Sequence, residues 1–241
     1  FMAARPVAPR DRLILARDVA GLNEASIHLD KVAGRVGLVK VGLELFTACG
    51  PAAVRAVRER GIGVFLDLKL HDIPATVAGA VKSALTHDVA MLTVHTGGTS
   101  AMLKAAAKEA GDHLMILGVT LLTSIGQDDL ASVCLAGSPS DIVVKRATLA
   151  ADCGLRGIVC SPNEVQPIRR AVGDRVAIIT PGIRPAGAEM GDQKRAATPA
   201  AAISNGADYL VVGRPIRDAA DPGAAADALV DEIAGALGTG R

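Results

Sequence analysis

The chain has 241 residues, half of them hydrophobic, and a formal charge of +1 at neutral pH. That length and apolar content suit one large core, and the balanced charge gives no broad field for nucleic acid or an anionic membrane. With three Phe, one Tyr and no Trp, there is no stacking surface for single-stranded bases, and the core must be built from Ala, Val, Leu and Ile.

The first β-rich apolar run, at residues 13–18, leads into a helical pattern at 23–34. A second run at 36–42 precedes a helix at 51–60, a third at 63–69 precedes one at 76–85, and a fourth at 91–96 precedes one at 100–110. The remaining strands fall at 115–120, 157–161, 176–181 and 209–213, followed by helices at 142–153, 164–172, 196–205 and 223–237. Gly61, Gly111, Gly154 and Gly206 each follow a helical segment, where a left-handed residue commonly ends the helix. Asp141 is the expected N-cap of the fifth helix, after loop residues 137–140. Eight strand–helix pairs in strict alternation predict parallel strands with crossover helices. Even units, and no glycine-rich turn after the first strand, favour closure over a doubly wound sheet. The expectation is an α/β chain, a single-domain TIM (β/α)8 barrel over residues 1–241, with Met2 as the natural start after a foreign Phe1.

Residues 1–12 carry Arg5, Arg10 and Arg12 without the apolar stretch of a signal peptide. No apolar run reaches the roughly 18 residues of a membrane span, so the cytoplasm is the expected compartment. Cys49, Cys134, Cys153 and Cys160 lie far apart with no CxxC pair. They are expected to be free, mostly buried thiols, and no metal is expected.

Barrel enzymes place their chemistry at the C-terminal ends of strands. Asp18, Lys40, Asp67 and Lys69 fall at the ends of the first three runs, and Asp72 follows in the next loop. Because side chains alternate along a strand, Asp67 and Lys69 share one face, while Val64, Leu66 and Leu68 take the other. The leucine face packs under helices and the charged face enters the barrel mouth. By the same parity Asp18 shares a face with Ile14 and Ala16. One Asp–Lys pair alone could be a solvated ion pair or a helix cap. Several such charges on one rim are costly to keep for packing alone. His71 and His95 read more readily as loop or supporting residues than as ligands. Gly213-Arg214 after the eighth strand, with Pro181-Gly182-Ile183-Arg184 after the seventh, matches the phosphate site common in these barrels.

These residues resemble the orotidine 5′-monophosphate decarboxylase family, bacterial type. The resemblance runs through Val39–Gly42 with Glu44-Leu45-Phe46, the run Phe65–Pro74 with Thr76, and Leu122-Thr123-Ser124. It continues through Val159-Cys160-Ser161, Thr180–Arg184, Asp192-Gln193, Ala197-Thr198-Pro199 and Val211–Arg214. The D-x-K-x-x-D core belongs to a wider set of phosphosugar barrels, and Ile73-Pro74 after it is more specific. The resemblance implies a cofactor-free decarboxylation of orotidine 5′-monophosphate to uridine 5′-monophosphate in pyrimidine biosynthesis. Lys69 would protonate C6 as CO2 departs. Asp67 and Asp72 would flank the scissile carboxylate, and Lys40 would complete the alternating charges and contact the ribose. Asp18 would bind the ribose, with Ile73 and Thr76 nearby, and Thr123 would hold the pyrimidine. Pro181, Arg184, Gln193, Gly213 and Arg214 would form the phosphate end, with residues 186–193 as its mobile loop. The family also implies a homodimer in which Asp72 serves the partner's site.

One departure is Arg17, which precedes Asp18 where the family usually has an apolar residue; by parity it should point away from the mouth. Two rivals share the scaffold: a metal-dependent decarboxylase or synthase of phosphosugars, and a noncatalytic barrel that binds phosphometabolites. The absence of an additional acidic residue grouped with the motif speaks against the first, and intact Lys69, Asp67 and Asp72 against the second.

Overall fold

The computed structural model describes residues 8–17, 21–185 and 197–238. Asp18 and the whole 186–193 segment, Gln193 and the expected loop included, lie outside the described residues, as do Phe1 and Met2. Eight strands run β1 (Leu13–Arg17), β2 (Leu38–Gly42), β3 (Gly63–Leu70), β4 (Met91–His95), β5 (Met115–Val119), β6 (Gly157–Val159), β7 (Ala177–Thr180) and β8 (Tyr209–Val212). They pair in parallel in chain order, and β8 returns to β1 to close the barrel. The expected (β/α)8 architecture is the observed one.

Outside the strands lie α1 (Leu22–Val32), α2 (Leu43–Cys49), α3 (Pro51–Arg58), α4 (Pro74–Leu85) and α5 (Ser100–Ala110). They are followed by α6 (Pro139–Asp152), α7 (Val165–Val172), α8 (Pro199–Ser204), α9 (Arg214–Arg217) and α10 (Pro222–Gly238). Alternation along each strand splits the core in two. Val39, Val41, Val64, Leu66, Leu92 and Val94 face outward and join the helices in the larger cluster. Ile14, Ala16, Leu38, Phe65, Met91 and Tyr209 belong to the barrel interior. Two residues further along their strands, the same interior face presents Lys40, Asp67 and Thr93 above that apolar plug. The parity read from sequence therefore holds for β3, and on β1 Ile14 and Ala16 share the interior face.

Gly61, Gly111, Gly154 and Gly206 have φ of 68°, 52°, 87° and 104°, the left-handed region expected of helix-ending glycines. Three expectations need correction. Asp141 is not the N-cap of α6. Ser138 caps it, its Oγ accepting from the Asp141 N–H at 3.1 Å and donating to Asp141 Oδ2 at 2.7 Å. Asp141 instead sits in the first turn, so the helix begins at Pro139, inside the expected loop. α2 and α9 were not expected: each is short, with a single buried residue, Leu45 and Ile216, too few to set up a helical period. Gly50, at φ 56°, separates α2 from α3. The thiols are less uniformly buried than expected: Cys153 and Cys160 are buried, Cys49 is half-buried and Cys134 exposed, all four free. Among the described residues no helix is long and apolar enough to cross a membrane.

Candidate active site

The C-terminal mouth of the barrel opens into a cavity of about 420 Å³. Lys40, Asp67, Lys69, Thr123, Pro181, Arg184, Gly213 and Arg214, eight of the residues expected at a site, all line it. Arg217, which the sequence reading passed over, lines it too. Among the described residues, five basic side chains and one carboxylate thus face one cavity in a chain of almost zero net charge. That concentration suits an anionic ligand carrying more than one charge. The walls between are apolar, from Phe65, Val119, Leu121, Val159 and Val211.

The charges divide into two groups. β3 and β7 stand four places apart in the eight-strand ring, so Lys69 and Arg184 enter the mouth from opposite sides, with Lys40 next to Lys69's strand on β2 and Arg214 following β8 beside β7. At the lysine end, Asp67 is buried between two cations. Its Oδ2 accepts from Lys69 Nζ at 2.9 Å and lies 3.5 Å from Lys40 Nζ. Thr93, fully buried on β4, donates from Oγ1 to Asp67 Oδ1 at 2.9 Å. Burial pushes the Asp67 carboxyl up, but Lys40, Lys69 and the hydrogen bonds from Lys69 and Thr93 outweigh it. The net shift is downward, and the group stays ionised.

The backbone around Lys69 is irregular. Leu66 pairs with Leu92 and Leu70 with Val94, so β3 advances four residues while β4 advances two. Within that bulge Lys69 takes φ 51°, a region costing an L residue on the order of 1–2 kcal/mol. Its N–H donates to the Thr93 side chain at 2.8 Å. The bulge thereby carries Lys69 to the rim above Asp67.

At the other end, Arg184 is anchored by its own strand exit. Its N–H donates to the Ala197 carbonyl at 3.0 Å, and the Ala197 N–H donates to the Gly182 carbonyl at 3.4 Å. Ile183 and Ala197 form the bridge that joins the two ends of the 184–197 connection beside the cavity. Arg217 is held by Asp218 through Nε–Oδ1 at 2.5 Å and Nη2–Oδ2 at 3.0 Å.

Asp72, Ile73 and Thr76 do not join this cavity. All three are exposed on the connection from β3 into α4. Asp72 Oδ1 accepts from the Ile73 N–H at 2.6 Å, and Ile73 is 65% exposed. His71 stacks on His95, ring centroids 5.5 Å apart. His95 Nδ1 accepts from the Gly97 N–H at 3.1 Å. Burial, with Arg146, His71 and Lys69 nearby, lowers the His95 pKa to about 4, so both features favour a neutral ring. Arg146 on α6 supports the β5 exit, donating to the Thr120 carbonyl at 2.7 Å. Among the described residues no three His, Cys, Asp or Glu side chains gather as a metal site.

A family model described as orotidine 5′-phosphate decarboxylase / HUMPS matches residues 11–229. The chain belongs to this family. An orotidine 5′-phosphate decarboxylase of Anaeromyxobacter sp. (strain K) is 53% identical over 221 residues, 92% of this chain and 97% of that protein. One of Thermobifida fusca is 50% identical over 222 residues, covering 92% of this chain and 95% of that one. Among solved structures, an orotidine 5′-phosphate decarboxylase from Lactobacillus acidophilus superposes with a TM-score of 0.82 at 34% identity, over 92% of this chain and 98% of the other. For this family member, the sequence reading missed Thr93 and Arg217. Thr93 could have been found by parity, two residues beyond Met91 on an interior face. Arg217 lies outside any strand and carries no such signal.

Proposed function

We propose that this chain decarboxylates orotidine 5′-phosphate to uridine 5′-phosphate, a step of pyrimidine biosynthesis. The family model covers two groups of enzymes, but relatives near 50% identity over nine-tenths of the chain carry the decarboxylase name. The observation that carries the reading is the divided cavity: arginines at one end for a phosphate, and Lys40, Asp67 and Lys69 at the other for a carboxylate on a ring.

The C6–carboxylate bond breaks, CO2 leaves, and the electron pair remains on C6. Lys69 gives that carbon a proton from Nζ and is reprotonated by solvent. Preorganised charge acts here without reorganisation as the carbanion develops. Asp67, kept ionised by two lysines, opposes the substrate carboxylate and less so a departing neutral CO2; Lys40 holds Asp67 and reaches the ribose. Thr123 holds the pyrimidine, and Pro181, Arg184, Gly213 and Arg214 hold the phosphate, with Asp18 and Gln193 assigned to ribose and phosphate by family resemblance. Phosphate binding far from C6 fixes the ring against Lys69. The free cysteines fit a reducing compartment, and we assign the cytoplasm.

We infer that the working unit is a homodimer in which Asp72, Ile73 and Thr76 complete the partner's site. Ile73 and Leu43, 65% and 53% exposed, are large apolar side chains left at the surface near the mouth, and Asp72 does not line its own chain's cavity. Absorbance loss with orotidine 5′-phosphate, with and without chelator, tests the activity; no turnover sinks it. Lys69→Ala should abolish turnover while nucleotide affinity falls far less. In a two-fold dimer, co-refolded Lys69→Ala and Asp72→Asn chains pair at random, and about a quarter of all sites regain both residues. Activity no greater than that of the separate parents, with chain exchange verified, would show that Asp72 serves its own chain.

A further inference from the structure

We propose that Thr93 is a positioning residue of the decarboxylation, setting the Asp67 carboxylate and the Lys69 backbone through one hydroxyl. This rests on the decarboxylase reading for its kinetics, and on the hydrogen-bond geometry alone for its origin. Thr93 Oγ1 makes two hydrogen bonds, and each reaches a charged residue of the cavity. It accepts from the Lys69 N–H at 2.8 Å and donates to Asp67 Oδ1 at 2.9 Å.

The location explains why a hydroxyl is needed. The β3 bulge puts two more residues on β3 than on β4 between the paired positions, so the Lys69 N–H cannot meet a β4 carbonyl in register. An N–H held partly away from water without a partner is destabilising. The hydroxyl supplies that acceptor in the middle of the bulge. Having accepted from Lys69, its own proton is directed at Asp67. A left-handed Lys69 at φ 51° is thus tied to the carboxylate that its ammonium also touches, at 2.9 Å. Oδ1 is taken by Thr93, and Oδ2 is the oxygen shared by Lys69 and Lys40. The carboxylate therefore has one orientation, and rotation about its last bond would break the hydroxyl contact and both lysine contacts at once.

Thr93 touches no substrate atom in this account; it acts through Asp67 and Lys69. Thr93→Val keeps the shape and removes the hydroxyl, and Thr93→Ser keeps the hydroxyl. Thr93→Val should lower kcat roughly 10- to 100-fold, the scale of a small misplacement of reacting groups, with KM within about threefold of the unmodified chain. Thr93→Ser should recover most of that loss. Thr93→Ala carries the same expectation as Val if Val does not give folded protein. The Asp67 titration, followed by carboxyl-carbon NMR, should move to higher pH in Val or Ala and stay in Ser, whether or not the chain turns over. A kcat within threefold of the unmodified chain in the folded variant overturns the proposal. So does a Ser variant as impaired as Val, or an unmoved Asp67 titration. If the unmodified chain does not turn over orotidine 5′-phosphate, the decarboxylase reading fails instead, and the titration alone decides the role of Thr93.

Discussion

Asp67→Asn keeps the shape and removes the charge; with the amide oxygen accepting from Thr93, an NH2 replaces the oxygen that accepted from Lys69. In the native chain Asp67 lies 2.9 Å from Lys69 Nζ and 3.5 Å from Lys40 Nζ. At an effective dielectric constant near 20 these pairs amount to roughly 5–6 and 4–5 kcal/mol of gross attraction. Desolvating the carboxylate cancels several kcal/mol of that. The variant keeps both lysines, each with most of its side chain out of water, and takes the Asp67 charge away from each. Breaking a buried pair from one side costs about 3–5 kcal/mol. For a chain of this size that lowers Tm by roughly 6–20 °C. Substrate affinity should move the other way, or hold, because a carboxylate ligand now meets the two lysines with one anion fewer beside it. Saturating ligand should therefore restore much of the lost Tm, while kcat falls steeply. Calorimetry with and without a carboxylate-bearing nucleotide, alongside kcat, makes the test. An Asn variant as stable as the native chain would mean that Asp67 does not hold the lysines; lost stability together with much weaker ligand binding would mean that it attracts the ligand.

Arg214→Ala should lower kcat/KM roughly 30-fold, about 2 kcal/mol of charged hydrogen bonding, with most of the loss in KM; an unchanged KM removes Arg214 from the phosphate end. Gly37→Ala would place a Cβ 2.6 Å from Asp11 Cα, against backbone that cannot swing aside. It should cost roughly 1–3 kcal/mol or more in denaturant unfolding, and an unaltered midpoint contradicts that contact. His95, with its pKa lowered to about 4, takes up its proton later than the unfolded chain, whose histidine titrates near 6.5. Its contribution to stability is complete above about pH 6.5 and is lost as the pH falls towards 4, on the order of 1–2 kcal/mol after screening at its exposed edge. Replacing it with Asn should flatten the Tm–pH curve over that window, and an equally steep curve in the variant assigns the slope elsewhere.

Much of the barrel was legible because its strands and most of its helices repeat a local rule: short apolar runs, then amphipathic helical patterns, then a glycine. Period two along β3 also sent Asp67 and Lys69 to one face and the leucines to the other, and the fold kept that assignment. Two elements broke the rule. α2 and α9 each bury a single side chain, so their existence follows from what the loops must pack against. Asp141 was taken for a cap because its type fits one, but Ser138 reaches the free amides first.

Residue type and spacing were enough for the α/β class, the number of strands, and which strand ends carry charge. Which of those charges meet depends on how the strands pair and close. The closed ring puts Lys69 on β3 opposite Arg184 after β7, and brings Arg217 into the cavity from beyond the last strand. The register slip between β3 and β4 turned an unremarked Thr93 into the partner of both Asp67 and Lys69. It is also tertiary placement that leaves Asp72 outside its own chain's cavity, although it stands only three residues after Lys69. Strand pairing and barrel closure are long-range events, and the distances they set between side chains are written in no local pattern.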